Sequence, residues 1–208
     1  MDLRAERTND RDSVRDVHLR AFGDHGTVVA DLVETLRETV DPLSLVADDG
    51  GQVVGHVMFT RSLLDAPRQL VEVQVLSPLA VCPDRFRQGI GSALVILGLK
   101  ILTERGVPVV FLEGDPGYYS RFGFAAGGDQ GFRKPSLRIP DGAFQAITLP
   151  AHQQWMTGTL VYSEPFWQHD AVGLRGCCPS FILQMKASPV LPMGGVWEGP
   201  ARWSRTGP

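Results

Sequence analysis

Two glycines that join a strand to a helix constrain this chain more than any other feature. Gly89 and Gly91 follow an apolar run that ends at Val81, and they open an apolar helix. Glycine lets the backbone turn tightly and approach a ligand closely. The first-turn N–H groups of a helix are unpaired and lie at the positive end of its dipole. The segment therefore predicts a phosphate-binding cradle built from main chain.

The flanking segments predict an α/β unit around this turn. Val71–Val75 alternates apolar and polar residues as a half-buried strand does, and Leu76–Val81 is almost wholly apolar. Pro78 interrupts this strand, and because proline has no N–H to donate, we expect a bulge that leaves main-chain groups unpaired. A buried helix over 92–105 and an apolar strand over 107–112 complete the unit.

Two common phosphate-binding motifs do not fit the glycine loop. A Rossmann fingerprint requires a third glycine at the position that Leu94 occupies. A Walker loop requires Gly-Lys-Ser or Gly-Lys-Thr, and the sequence contains neither. The cradle is therefore expected to serve another phosphate-containing ligand.

The loop resembles motif A of the GNAT superfamily of acyl-CoA-dependent N-acetyltransferases. That motif reads Gln/Arg-x-x-Gly-x-Gly/Ala after a bulged strand, and here Phe86 stands at its first position, between Arg85 and Arg87. A second segment, Glu113–Phe124, is similar to the Gly-Asp-Pro-x-Tyr-Tyr-x-Arg-Phe-Gly-Phe box of one bacterial GNAT branch. Because the pyrophosphate contacts of the family are largely main-chain N–H groups, Phe86 is expected to change the side-chain support and to leave the site in place.

The resemblance covers roughly residues 3–168 and implies a fold, a domain division and a cosubstrate. The implied fold is α/β, with a mixed central sheet, one splayed and bulged strand, and flanking helices. We expect a GNAT domain over 1–168 and a Pro/Gly-rich extension over 169–208. The cosubstrate is expected to be acetyl-CoA. The candidate residues that bind it are Leu79, Ala80, Val81, Arg87, Gln88, Gly89, Ile90, Gly91 and Ser92.

Two side chains are candidates for the proton transfers of acyl transfer. In the superfamily a Tyr four residues before Gly-Phe protonates the departing thiolate, and Tyr119 holds that position before Gly123. The alternative is a packed aromatic residue whose hydroxyl has a structural partner. Glu113 ends a buried strand, where desolvation raises the pKa of a carboxylate, so it is our candidate for the general base. The alternative for Glu113 is a rim carboxylate that sets the charge preference of the acceptor.

Composition excludes several other classes of function. The 208-residue chain has a net charge of −3, which provides no basic face for nucleic acid or an anionic membrane. It contains no apolar run near the roughly 20 residues of a membrane span and no signal-peptide core. Its three cysteines form no Cys-x-x-Cys pair and no zinc spacing. We therefore expect a cytoplasmic protein with reduced thiols and no metal.

These features together predict an enzyme that transfers acetyl from acetyl-CoA directly to a primary amine. The acceptor is a small molecule or a peptide, and GNAT acceptor sites are built by variable loops, so its identity stays open. We expect neither nucleic acid nor membrane as a partner, and a homodimer is compatible with the sequence. Two alternatives remain: a catalytically silent acyl-CoA sensor of the same fold, and a nucleotide-binding enzyme that uses the glycine loop.

Overall fold

The structure is a computed structural model that describes residues 1–173. The predictions that concern Cys177, Cys178 and the part of the extension after Gly173 lie outside the described residues. The strands are β1 (Asp2–Ala5), β2 (Leu43–Asp49), β3 (Gln52–Asp65), β4 (Leu70–Val81), β5 (Val109–Glu113), β6 (Ala125–Ala126), β7 (Phe132–Arg133), β8 (Phe144–Thr148) and β9 (Gly158–Val161). The helices are α1 (Arg11–Phe22), α2 (Gly26–Arg37), α3 (Ile90–Glu104), α4 (Pro116–Tyr119) and α5 (Glu164–Gln168).

All nine of these strands form one open sheet. The main path runs β1-β2-β3-β4-β5-β8-β6, and β9 pairs with β3 on one side and β7 on the other. Along the main path only β4 and β5 are parallel, because α3 carries the chain between them. The sheet is therefore mixed and mostly antiparallel, and it confirms the predicted α/β architecture.

Strand β4 carries the bulge that Pro78 predicted. Between Leu76 and Leu79, the two residues Ser77 and Pro78 stand opposite Met58 alone on β3. An extra residue on one strand interrupts the ladder and turns the strand locally. The proline therefore sits where the ladder is already broken and its missing N–H costs nothing.

The other side of β4 separates from β5. The two strands pair only where Gln74 and Val75 meet Val110 and Phe111. Beyond that point residues 76–81 continue beside β3 without pairing to β5. A wedge-shaped opening results at the carboxyl ends of two parallel strands, where ligands commonly bind in open α/β sheets.

Helix α3 packs on the sheet with one face, which corrects the expectation of burial on most sides. Its buried residues include Leu94, Val95 and Leu102, whereas Ile96 is 59% exposed. It also starts at Ile90, two residues earlier than the sequence indicated, because the left-handed Gly89 forms its N-cap. The helix therefore carries apolar side chains on its exposed side as well as on the side that packs against the sheet.

Two glycines allow α3 to lie close to β3. A Cβ at Gly98 would come within 2.2 Å of the Phe59 ring, and a Cβ at Gly55 would come within 2.9 Å of Ile90. Phe59 is completely buried and has no room to move aside. The position of α3, and with it the glycine loop at its start, therefore depends on these two contacts.

A chain of buried polar groups joins the N-terminal segment to the same sheet. His18 Nε2 lies 2.8 Å from His56 Nδ1, and His56 Nε2 lies 2.8 Å from Ser44 Oγ. Ser44 donates to the Glu6 carboxylate, which also binds Arg37. Since Glu6 can only accept, Ser44 accepts from His56 and His56 accepts from His18. Within residues 1–173, the remaining nitrogen of His18, Nδ1, has no hydrogen-bond partner.

We expect Gly98→Ala to destabilise the protein by about 1–3 kcal/mol, because the added methyl group overlaps a buried ring that has no space to yield. This cost should exceed the gain of about 1 kcal/mol from the higher helix propensity of alanine. Denaturant unfolding measures the difference. Gly128→Ala is the control, since a Cβ at Gly128 meets nothing within 4 Å. Equal stability of the two variants would contradict the packing described here.

Candidate active site

The glycine loop has the backbone shape of an anion-binding nest. Arg87 and Gly89 both have positive φ, at 64° and 81°, and Gly89 is the N-cap of α3. Alternation of left-handed residues with others turns successive N–H groups toward one point. No side chain within residues 1–173 caps the helix at Gly89. The N–H groups of Ile90, Gly91 and Ser92 therefore lie in the first turn, where an anion is favoured.

One side chain of this loop is held in an ion pair, and the others are exposed to solvent. Arg85 forms an ion pair of 3.0 Å with Asp49, so its guanidinium is engaged within the protein. Gln88 Nε2 lies 3.5 Å from the Asp84 carbonyl oxygen. Phe86 is 44% exposed and adds no polar group. The loop therefore offers its main chain, together with the exposed Arg87, as its means of binding phosphate.

Strand β4 directs main-chain donors into the wedge. Cys82 N–H donates to the Val54 carbonyl across the β3–β4 ladder. Antiparallel ladders alternate, so the N–H groups of Val81 and Leu79 point away from β3 and toward the opening. Ala80 stands opposite His56 in the same register, and its N–H faces β3 instead. Of the three predicted residues on β4, Leu79 and Val81 thus present donors to the site.

The segment that follows β5 forms the short helix α4, and residues at both ends of the segment fix its bounds. Asp115 is the N-cap of α4 and accepts a 2.9 Å bond from Gly117 N–H, and Pro116 occupies the first helical turn. The following turn ends at Gly123, whose φ is 93°. Asp115 therefore braces α4 and is a structural residue.

The two tyrosines of α4 point to different parts of the site. Tyr118 Oη lies 2.8 Å from the position of a Cβ on Gly91 and hydrogen-bonds Ser92. Tyr119 is 1% exposed and lines the wedge, with its ring packed so tightly over Gly114 that a Cβ there would lie 2.4 Å away. Burial raises the pKa of Tyr119. Its hydroxyl therefore keeps its proton at neutral pH.

A cavity of about 200 Å³ occupies the wedge. Its walls come from the α1–α2 corner, from residues 75–79 of β4, from the end of β5, and from α5 with the residues that follow it. Both candidate catalytic residues, Glu113 and Tyr119, are among the residues that line it. The glycine loop lies beyond the carboxyl end of β4, and residues 75–79 of the same strand form one wall of the cavity.

Glu113 has an unusual environment for a carboxylate. It ends β5 inside the cavity, and burial raises its pKa to about 7, although hydrogen bonds from Tyr162 and Gly173 oppose this rise. Tyr162 Oη donates to Oε1 at 2.9 Å, and Gly173 N–H donates to Oε2 at 3.0 Å. A carboxylate with a pKa near 7 can exchange protons at physiological pH.

Tyr162 and Gly173 are the site residues that sequence reasoning missed. Tyr162 directly follows β9, and no local sequence motif marks it as a site residue. Gly173 lies in the Pro/Gly-rich extension and carries no sequence signal at all. Val172 is completely buried and packs with the core. The boundary at residue 168 stays a prediction, and a truncation should stop after Gly173 to preserve these contacts.

The separation of β4 from β5 and the glycine loop at the start of α3 are the features that the resemblance to GNAT acetyltransferases predicted. Comparison with known proteins identifies the family. A family model described as an acetyltransferase (GNAT) domain matches residues 2–127. The chain belongs to the GNAT acetyltransferase family.

Named relatives and solved structures agree with this assignment. The chain is 34% identical over 164 residues to the uncharacterised N-acetyltransferase YjhQ of Escherichia coli K12, covering 76% of this chain and 89% of that protein. The crystal structure of E. coli YhbS in complex with CoA superposes with a TM-score of 0.68 at 32% identity, over 79% of this chain and 90% of YhbS. A GNAT acetyltransferase of Brucella melitensis in complex with acetyl-CoA gives a TM-score of 0.63 at 30% identity, over 79% and 97% of the two chains.

The protein is therefore an acetyl-CoA-dependent N-acetyltransferase. No helix in the described part of the chain has the length and apolarity needed to cross a membrane. Residues 1–173 also bring together no group of three or more His, Cys, Asp and Glu side chains able to hold a metal ion. The absence of a metal, the cytoplasmic location and a homodimeric state stay predictions.

We expect acetyl-CoA at about 100 times its Kd to stabilise the protein by about 2.7 kcal/mol, a shift of several degrees in Tm. Gly91→Asp should abolish this shift, since it places a negative charge in the cradle. Gly91→Ala meets the same Tyr118 hydroxyl without the charge and should retain part of the shift. Gly142→Asp, in open space, should respond like the parent protein.

Thermal unfolding with and without acetyl-CoA measures the shift in Tm for the parent protein and the three variants. A full shift in Gly91→Asp would contradict the assignment of the phosphate site.

Proposed function

We propose that the protein acetylates a primary amine in a ternary complex, with Glu113 as general base and Tyr119 as general acid. The observation that carries this proposal is that both side chains line one cavity at the point where β4 leaves β5. When bound, acetyl-CoA supplies the acetyl thioester. Its phosphates are assigned to the 87–92 loop, and its pantetheine to the main chain of Leu79 and Val81. The predicted contact of Ala80 does not fit this arrangement, because its N–H faces β3.

The proposed base would remove a proton from the acceptor ammonium ion, which must become a neutral amine before it can attack the thioester. An alkylammonium ion has a pKa of about 10.4, so the neutral amine lies roughly 4.6 kcal/mol above it at pH 7. Glu113 is ionised in about half of the molecules at pH 7, given its pKa of about 7. Burial makes its charged form a stronger proton acceptor than an exposed carboxylate. Tyr162 and Gly173 hold it in place, so its proton-accepting role needs no rearrangement of the side chain.

The proposed acid and the main-chain donors complete the arrangement. The N–H groups that face the opening at Leu79 and Val81 are suited to bind the thioester oxygen as it gains negative charge. Tyr119 keeps its proton at neutral pH and can donate it to the departing thiolate, whose conjugate thiol has a pKa of about 8.5. Since thiolate is a fair leaving group, loss of this donor should slow the reaction without stopping it.

Tyr119→Phe should lower kcat by about 10- to 1000-fold, because it removes only the hydroxyl that would protonate the thiolate. The phenylalanine ring keeps its packing over Gly114, so acetyl-CoA affinity should stay within about threefold of the parent value. Steady-state kinetics with an identified acceptor and a direct acetyl-CoA titration measure the two quantities. Unchanged kcat would remove Tyr119 from the mechanism and favour a structural role for its hydroxyl.

Glu113→Gln should lower kcat/KM by about 100-fold or more and remove the loss of activity on the acid side of pH 7. In the parent protein that loss reflects protonation of Glu113, whose ionised fraction falls about tenfold for each pH unit well below its pKa. Turnover from pH 5.5 to 9 shows the difference. Glu72→Gln is the control, because Glu72 is an exposed carboxylate on β4 outside the cavity. If both variants keep the parent pH profile, Glu113 is a rim charge.

A further inference from the structure

We propose that the acceptor is a compact amine with a single positive charge, an apolar body and no carboxylate. This inference rests on the proposed function and concerns the same cavity. It follows from three properties of the described residues that line the cavity: the chemistry of the walls, the number and state of the charged groups, and the volume. Each property restricts a different part of the acceptor.

The walls of the cavity are mainly apolar. Phe22, at the end of α1, and Val29 and Leu32, on α2, form one side. Pro78 on β4 and Phe166 on α5 form other walls. A hydrocarbon or aromatic body would bury its surface against these side chains favourably, whereas hydroxyl-rich or amide-rich bodies would lose hydrogen bonds to water without replacement.

Among the charged side chains of the described lining, one carboxylate is available to pair with the ammonium group of the acceptor. Of the described lining residues, only Glu113 and Asp170 carry carboxylates. Asp170 already forms a 3.0 Å ion pair with Arg138, whereas Glu113 receives only neutral donors from Tyr162 and Gly173. A second ammonium group in the acceptor would therefore lose its hydration without gaining a free partner.

The described lining residues also offer little to pair with an acceptor carboxylate. They include no Lys or Arg side chain, and one of their histidines, His169, is bonded through Nε2 to Thr35 Oγ1 at 2.8 Å. An amino acid would bring its own carboxylate close to Glu113, and the two negative charges would repel. The site should therefore reject a free amino acid and accept the amine that lacks the carboxyl group.

The volume limits the size of the acceptor. The cavity measures about 200 Å³, below the roughly 300–1,000 Å³ of pockets that hold drug-sized ligands. The acetyl group must share part of this space. A branched or aromatic monoamine of a few carbon atoms fits such a space, whereas a polycyclic polyamine would have to lie largely outside it.

Three matched amines, with acetyl-CoA as donor, test the restrictions that follow from the apolar walls and from the charged groups. They are 3-methylbutylamine, leucine, which is the same amine with a carboxylate, and 1,4-diaminobutane, which replaces the apolar end with a second ammonium group. We expect kcat/KM for 3-methylbutylamine to exceed that of each other amine by at least tenfold. Formation of the acetylated product, measured by mass spectrometry, is the readout.

A charge introduced at the wall should change this preference. Val28 lines the cavity but is 49% exposed, and it lies in the first turn of α2, where an acidic residue is tolerated. Val28→Glu should raise the kcat/KM ratio of 1,4-diaminobutane to 3-methylbutylamine by about tenfold. Val40→Glu makes the same substitution at a residue that is 67% exposed and outside the lining, so it should leave the ratio unchanged.

The outcomes distinguish this inference from the proposed function. Preference for 3-methylbutylamine, reversed or weakened only in Val28→Glu, supports the inference. Preference of the parent protein for leucine or 1,4-diaminobutane overturns it while confirming transfer to an amine. If acetyl-CoA binds but no primary amine in a wider panel is acetylated, the proposed function fails and the inference fails with it.

Discussion

The separation of β4 from β5 is the constraint on which the rest of the site depends. Two parallel strands that stayed paired would use their main-chain groups in the ladder and leave no space between them. Pairing ends after Val75, and the bulge at Ser77 and Pro78 turns the remainder of β4 away. The same departure exposes main-chain donors and opens the cavity into which Glu113 and Tyr119 project. An irregularity in one strand thus provides both the exposed main-chain donors and the cavity of the proposed active site.

The glycine loop and the tyrosine box are connected in space as well as by resemblance. Tyr118 reaches from α4 to the first turn of α3, where its hydroxyl meets Ser92 and the open face of Gly91. The adjacent Tyr119 turns into the cavity above Gly114. Two successive residues therefore contact the start of α3 and the cavity, respectively. This connection explains why the box places two tyrosines side by side in a helix of four residues.

The predictable parts of this molecule were those that depend on residues close together in sequence. The strand–glycine–helix unit and the bulge at Pro78 each follow from local chemistry, and the structure contains both. Contacts between distant segments were not predictable. Neither the bonds from Tyr162 and Gly173 to Glu113 nor the buried pairing of His18 with His56 has a local signature. The exposure of Ile96 was missed for the same reason, since apolar content does not reveal which side of a helix meets the sheet.

The buried titratable groups couple the stability of the fold to pH in two opposing directions. Burial lowers the pKa of His18 and His56, so the stability they contribute is lost as pH falls below about 6.5, the ordinary histidine value. Glu113 acts in the opposite sense. Its pKa rises from 4.5 to about 7, so its contribution is lost as pH rises across that interval, by roughly 3 kcal/mol. Slightly acidic buffers therefore preserve the Glu113 contribution while they hold the proposed base in its protonated, inactive form. The pH at which the proposed base is ready to accept a proton is therefore also the pH at which the Glu113 contribution to stability is smallest.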